Sequence, residues 1–413
     1  MGSAFQGPRA LTDSASRQAA STTRIPISFA LQKLVLAVCL PLCLQTRKLE
    51  AQDATPPAGA RGSFTLTGKV IAEATGAPLP YSTVTIEQIG RERFTDETGT
   101  FTYFAVPAGK YRIRVRQLGY TPFDSTLQLN AASASPVFSL VRVPSTLADV
   151  NVTAPMRQCI VPEENGYVAD ADLTTVLGEA RKNAERERLL RRTYPFEYKL
   201  AQAHDTYDLR DSTHSIVYDT ITFRSDDIWR YRKGKVVSPD RSKIFGEVRV
   251  MRLPTLTDLA DQRFLLAHCF KYAGIYSEDG PPEHRIDFAP VPEISAPDVE
   301  GSIFIDSATY LIRRAEFRLT KGGSIKPPVL GMTVTTTYRE ILPNVALFDE
   351  IRSVQPLPRR PSDDHLTEFR QTQQLLSFRF LYGGPPGSEP ALAKKKTAAT
   401  EAPLTPPPTS KRP

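Results

Sequence analysis

The sequence is poor in residues that carry metal, thiol or phosphate chemistry. It holds five histidines, four cysteines and one tryptophan in 413 residues. It has no Gly-rich phosphate loop after a strand and no Gly-x-Ser-x-Gly elbow, which argues against the commonest nucleotide and serine-hydrolase sites. A long apolar run is also missing. The stretch LVLAVCLPLCL at 34–44 is eleven residues, against about 20 for a membrane-spanning helix. Nor is there a strong charge. The formal net charge is +7, and residues 1–51 carry +4 of it. The remainder is too weak to argue for nucleic acid.

The abundant features point to export and to β-structure. Arg24 and Lys33 precede the apolar stretch, as in a secretory signal. Residues 1–51 are therefore expected to be a signal or leader, cut after Ala51; a retained anchor is the alternative. Cys39 and Cys43 lack the small residue wanted before a lipidated cysteine. A mature chain would keep Cys159 and Cys269, and one pair in an oxidising compartment predicts one disulfide. Two separate buried thiols are the alternative. The 35 prolines gather in linkers and in the tail, and residues 382–413 are expected to be disordered.

From 62 to 141 short alternating runs predict a small β-sandwich. RERFTDETGTFTYFAV reads as a hairpin turning at Asp96–Gly99, and VPAG (106–109) as a second tight turn. Residues 142–171 form a connector. At 172–192 the period becomes helical, with Asp172 as the expected N-cap. Leu173, Val176, Leu177, Ala180 and Ala184 share one face. Glu179, Lys182, Glu185 and Arg186 are expected on a solvated face. From 193 to 381 the pattern is again β, interrupted by short helices, mainly over 258–270. The whole predicts a mainly β protein: a sandwich, then a larger antiparallel curved sheet (172–381) with one to two helices.

Candidate chemistry is thin. His365 and Glu368 have the spacing of two zinc-peptidase ligands, but no later histidine exists to complete the set. His204 and His214 flank an acidic stretch best read as a turn. His268 beside Cys269 is not read as a nucleophilic pair, and TDETG is read as a turn rather than a calcium site. No catalytic, metal or cofactor residue is assigned.

The segment 62–141 resembles the carboxypeptidase regulatory-like domain, a transthyretin-like sandwich. The matching residues are Gly68, Gly76, Pro78, Gly99, Phe101, Pro107, Gly109, Tyr111, Gly119 and Tyr120. Gly99 and Gly109 are expected at positive-φ turns, with Phe101 and Tyr111 in the core. The resemblance implies a non-catalytic module of secreted or envelope proteins. LADVNVTA (147–154) resembles the segment joining this module to the plug of TonB-dependent receptors, but too little chain remains for a receptor barrel. The second half, through EARK (179–182), FLLAHCF (264–270) and 286–320, resembles exported bacterial proteins that carry the module. It is also similar to envelope proteins whose half-barrel folds over an apolar groove. Phe304, Leu311 and Phe317 are the expected lining of such a groove.

The expected function is then a non-catalytic cell-envelope protein, periplasmic or outer-membrane-associated and at most peripheral to the membrane. Its β-rich domain would bind a lipid, a glycan or a protein. An adaptor of a TonB-dependent system and a hydrolase of unrecognised site are the alternatives.

Overall fold

The computed structural model describes residues 63–388, apart from 131–134, 145–158, 163–169, 209–211, 227–228, 243–245, 278–279, 327 and 359–365. The expected leader, most of the connector including LADVNVTA, His365 and the residues beyond 388 therefore lie outside the described residues. All described residues fall within one compact unit, Ala58–Pro413.

The first strands are β1 (Ser63–Ala72), β2 (Thr83–Ile86), β3 (Arg91–Phe94), β4 (Thr100–Pro107), β5 (Gly109–Arg116), β6 (Phe123–Leu129) and β7 (Val137–Leu140). They form two sheets, ordered β4-β1-β7 and β3-β2-β5-β6. Alternation along β1 and β5 turns Leu66, Val70, Tyr111, Ile113 and Val115 into one core, with Phe101 and Phe138 stacked at 5.8 Å. This is the expected sandwich.

Its connections differ from expectation. β3 pairs with β2 and β4 with β1, so the Asp96–Gly99 turn crosses between sheets and is not a hairpin. The turn itself is well made: Asp96 Oδ1 accepts from Thr98 N at 2.8 Å and from Thr100 N at 2.9 Å. Gly99 has φ +73, and a Cβ there would lie 2.5 Å from the Val70 carbonyl. Gly109 is not in the left-handed region; Ala105, at φ 53, takes that conformation instead. The chain between β4 and β5 also changes sheets, so its bend is made partly inside β4.

The remainder comprises α1 (Ala171–Thr193), β8 (Phe196–Asp208), β9 (His214–Arg224), β10 (Val237–Ser242), β11 (Gly246–Met251), α2 (Gln262–Leu265), β12 (His268–Tyr276), β13 (Glu283–Pro290), β14 (Val299–Asp306), β15 (Ile312–Leu319), β16 (Thr333–Leu342), β17 (Val345–Pro358) and β18 (Leu366–Phe380). A 3-10 turn, Leu256–Ala260, precedes α2. The helical stretch expected over 258–270 is thus shorter. His268 and Cys269 begin a strand, where alternation buries Phe270 and Tyr272 on one face.

Nine strands form one antiparallel sheet, ordered β12-β13-β14-β15-β16-β17-β18-β8-β9. One row across it runs Phe270, Phe288, Gly301, Phe317, Val334. This inner face is covered by α1, the 3-10 turn and α2, which share its apolar cluster. The neighbouring row on the outer face runs Lys271, Asp287, Ser302, Glu316, Thr335, Arg352. It is a wet ladder of ion pairs, along a strand as in Arg285–Asp287 at 2.7 Å and across strands as in Arg314–Glu283 at 3.3 Å. Opposite faces thus have opposite character, as period-two patterning requires.

The Cys159–Cys269 disulfide is present, with Cα atoms 4.8 Å apart. Phe270 N also donates to Ile160 O at 2.8 Å. Cys159 and Ile160 are therefore fastened to the start of β12.

Candidate functional site

Helix α1 organises the molecule. Asp170, not Asp172, is its N-cap and accepts from Leu173 N at 2.9 Å. Leu173, Val176, Leu177, Ala180 and Ala184 pack into the sheet cluster as expected. The supposed solvated face is the surprise. Glu179, Lys182 and Arg186 are buried and Glu185 is half-buried, because the sandwich lies against them, and Asn183 is buried against the sheet.

Glu179, Lys182, Asn183 and Arg186 clasp both neighbours. Lys182 Nζ donates to Tyr120 O at 2.6 Å and to Glu179 Oε1 at 2.7 Å. Glu179 Oε2 accepts from Gly119 N at 3.0 Å, and Arg186 Nη1 donates to Gln117 Oε1 at 2.8 Å. On the sheet side Asn183 donates to Tyr310 O at 2.8 Å and accepts from Ile312 N at 3.0 Å. Arg186 Nε donates to Asn344 O at 2.6 Å. Burial pushes the Glu179 carboxyl up and the Lys182 ammonium down, each opposed by the other's charge. Arg116–Glu185 (2.6 Å) and Arg192–Glu92 (3.2 Å) close the rim. The Gly119-Tyr120 turn of the sandwich is thus a plug, with Leu118 in the sheet cluster. Gly119 has φ +70, and a Cβ there would meet the Tyr310 ring at 3.2 Å.

The expected apolar groove is filled. Phe304, Leu311 and Phe317 are all buried. Phe304 pairs across from Arg314 on the outer-face register, and Phe317 lies on the inner face, so they do not line one groove. Between the inner face and the 3-10 turn remains a cavity of about 10 Å³, lined by Leu256, Leu259, Phe264, Phe288, Ile303 and Phe317 among others. That is about one water's room.

The inner face changes character beyond Leu200 and Leu375, the last buried pair on β8 and β18. One row continues Ser353, Gln371, His204, Val217, and the next Ile351, Gln373, Gln202, Asp219. Val217 and Asp219 are exposed, and the other six residues are half-buried. His204 stacks on Phe369 at 6.0 Å, and its Nδ1 is buried without a hydrogen-bond partner. This open wing holds three amides and an imidazole whose hydrogen-bonding capacity is unspent among the described residues. His214 pairs instead with Asp205 on the outer face, at 3.1 Å.

Sequence reasoning placed His204 only as the flank of a turn and missed the glutamines. The available signal was the alternation Gln371, Gln373 and Gln202, His204 in strands whose neighbours bury leucine. The sequence-derived turn residues Gly68, Gly76, Pro78, Gly99, Phe101, Pro107, Gly109 and Tyr111 lie within the sandwich, away from both wing rows, while Gly119 and Tyr120 serve the clasp. Among the described residues, no three of His, Cys, Asp and Glu could hold a metal ion together. No helix among them is long and apolar enough to cross a membrane.

Residues 65–141 match the family model of the carboxypeptidase regulatory-like domain. No curated protein matches the chain. Among solved structures, an outer membrane lipoprotein-sorting protein domain from Vibrio parahaemolyticus is similar at 12% identity and a TM-score of 0.27, covering 53% of this chain and 98% of its own. A DUF1329 family protein from Desulfovibrio piger aligns at 12% identity and 0.26, covering 50% and 94%. A LolA superfamily protein from Nitrosomonas europaea aligns at 11% and 0.22, covering 49% and 92%. At these values the likenesses carry no functional inference.

Proposed function

We propose that this is a non-catalytic, exported cell-envelope protein whose wing, beyond Leu200 and Leu375, binds a polar ligand, an oligosaccharide of the envelope. The observation that carries the reading is two adjacent rows that set Gln371 and His204 beside Gln373 and Gln202, next to Phe369. Primary amides offer donors and acceptors together, which suits sugar hydroxyls. A neighbouring aromatic face suits the apolar side of a sugar ring. A lipid reading is less well supported, because the apolar interior is already filled by the chain's own α1, 3-10 turn and α2.

Export is supported by the signal-like stretch at 34–44 and by the Cys159–Cys269 disulfide, a bond that persists in oxidising compartments. The sandwich acts as a spacer held rigidly by the α1 clasp rather than as a regulator of a peptidase. The test is a glycan-array screen with the full chain, followed by titration of the best sugar into the Gln371→Leu/Gln373→Leu variant. The expected result is a saturable hit weakened at least tenfold. A hit that the variant leaves unchanged moves the site elsewhere.

A further inference from the structure

The two edges of the nine-stranded sheet are treated differently. The start of the β12 edge is met by Cys159 and Ile160, through the disulfide to Cys269 and the Phe270–Ile160 hydrogen bond. Among the described residues no strand pairs with the far side of β9. Long edges are normally blunted by lysine, proline or a bulge. β9, His214–Arg224, has neither residue, its charges are limited to Asp219 and Arg224, and its pairing with β8 runs without a register shift. Ile216, Val217, Tyr218 and Ile221 are 45%, 41%, 69% and 37% exposed, on both faces of the strand.

The direction of its backbone groups follows from one bond. Asp208 N donates to Thr213 O at 3.0 Å, so Thr213 faces β8. By antiparallel alternation 215, 217, 219, 221 and 223 also face β8, while 216, 218, 220, 222 and 224 aim N–H and C=O outward.

We propose that this edge joins a second copy of the chain, strand to strand and antiparallel, about a two-fold axis through Thr220. A two-fold contact must be complementary to itself. With the axis at Thr220, Val217 meets Phe223, Tyr218 meets Thr222, Asp219 meets Ile221, and Ile216 meets Arg224, each twice. No like charges face each other. An axis at Asp219 would set two carboxylates opposite each other, which destabilises a cross-strand pair. An axis at Tyr218 would replace the Val217–Phe223 contact by Val217–Asp219. The outward residues at the Thr220 axis form hydrogen-bonded pairs, as the alternation requires. Such an axis is perpendicular to the sheet and keeps inner faces on the same side. The two polar wings then become one continuous surface.

The experiment is sedimentation of the full chain with three variants. The expected result is a dimer at tens of micromolar for the unmodified chain. Thr220→Pro removes an outward N–H and no bond to β8, so it should weaken self-association at least tenfold with the thermal transition retained. Should it fail to fold, Val217→Lys/Tyr218→Lys gives the same readout. On oxidation Thr220→Cys should cross-link two chains, and Tyr218→Cys should not, since its own counterpart would lie ~14 Å away along the strands. A monomer, a dimer indifferent to the edge variants, or cross-linking through 218 instead of 220 would each overturn the proposal. The outcome is independent of sugar binding, which is read on the monomer as well.

Discussion

At the residue scale the most consequential side chains are charged and buried. Lys182 holds Tyr120 O and Glu179 together. Lys182→Met would leave the Glu179 carboxylate buried without its cation, and such losses cost about 3–5 kcal/mol. Chemical denaturation should show that drop, and Glu179→Gln/Lys182→Met should recover part of it. Gly119→Ala forces a side chain into a left-handed conformation against Tyr310; a loss of about 1–3 kcal/mol is expected by the same measurement. His284 sets a pH dependence. It is buried, its Nδ1 lies 2.9 Å from Tyr272 Oη, and its ring stacks on Tyr310. Burial lowers its pKa below the ordinary 6.5. The unfolded chain therefore binds a proton that the folded one resists, and this contribution to stability is lost as pH falls below 6.5. Melting curves at pH 7.5 and 5.5 should show a smaller acid loss in His284→Gln than in the unmodified chain. An equal loss would show that His284 does not titrate with folding.

At the element scale, the alternating strands were legible because burial follows sequence parity. Phe270, Phe288 and Phe317 on one face and Lys271, Asp287 and Glu316 on the other state the two sides directly. The apolar stripe of α1 was legible for the same reason. Its second face was not, since Glu179, Lys182 and Arg186 at helical spacing look alike whether water or another domain faces them. Only the tertiary contact with Gln117–Tyr120 decides that they are buried. The strand partners of β3 and β4 were likewise hidden: a short turn suggests a hairpin, and a sandwich uses the same turn to change sheets. The disulfide was legible from cysteine count and expected compartment. It closes a separation of 110 residues, for which the chain-entropy model gives roughly 4–5 kcal/mol. Cys159→Ser/Cys269→Ser should lower the melting temperature, and added reductant should no longer shift it.

At the scale of the whole molecule, α1 is buried on two sides and makes sandwich and sheet one body. That leaves the wing of β17, β18, β8 and β9 as the large uncovered region of the inner face. Its polar character was illegible in the sequence because glutamines in a strand look like ordinary solvent-facing residues. Gln371 continues the row that begins with Phe270 and Phe288, and Gln373 and Gln202 the row that begins with Tyr272 and Ile286, so the same face is core at one end and a polar platform at the other. On the proposed reading this platform, not the apolar interior, takes a ligand. The direct measurement is equilibrium binding of two probes to the full chain: soluble disaccharide-peptide fragments of peptidoglycan and a fluorescent long-chain fatty acid. The account predicts saturable binding of the first, weakened at least tenfold in Gln371→Leu/Gln373→Leu, and none of the second. Saturable fatty-acid binding that the same variant leaves intact would contradict it.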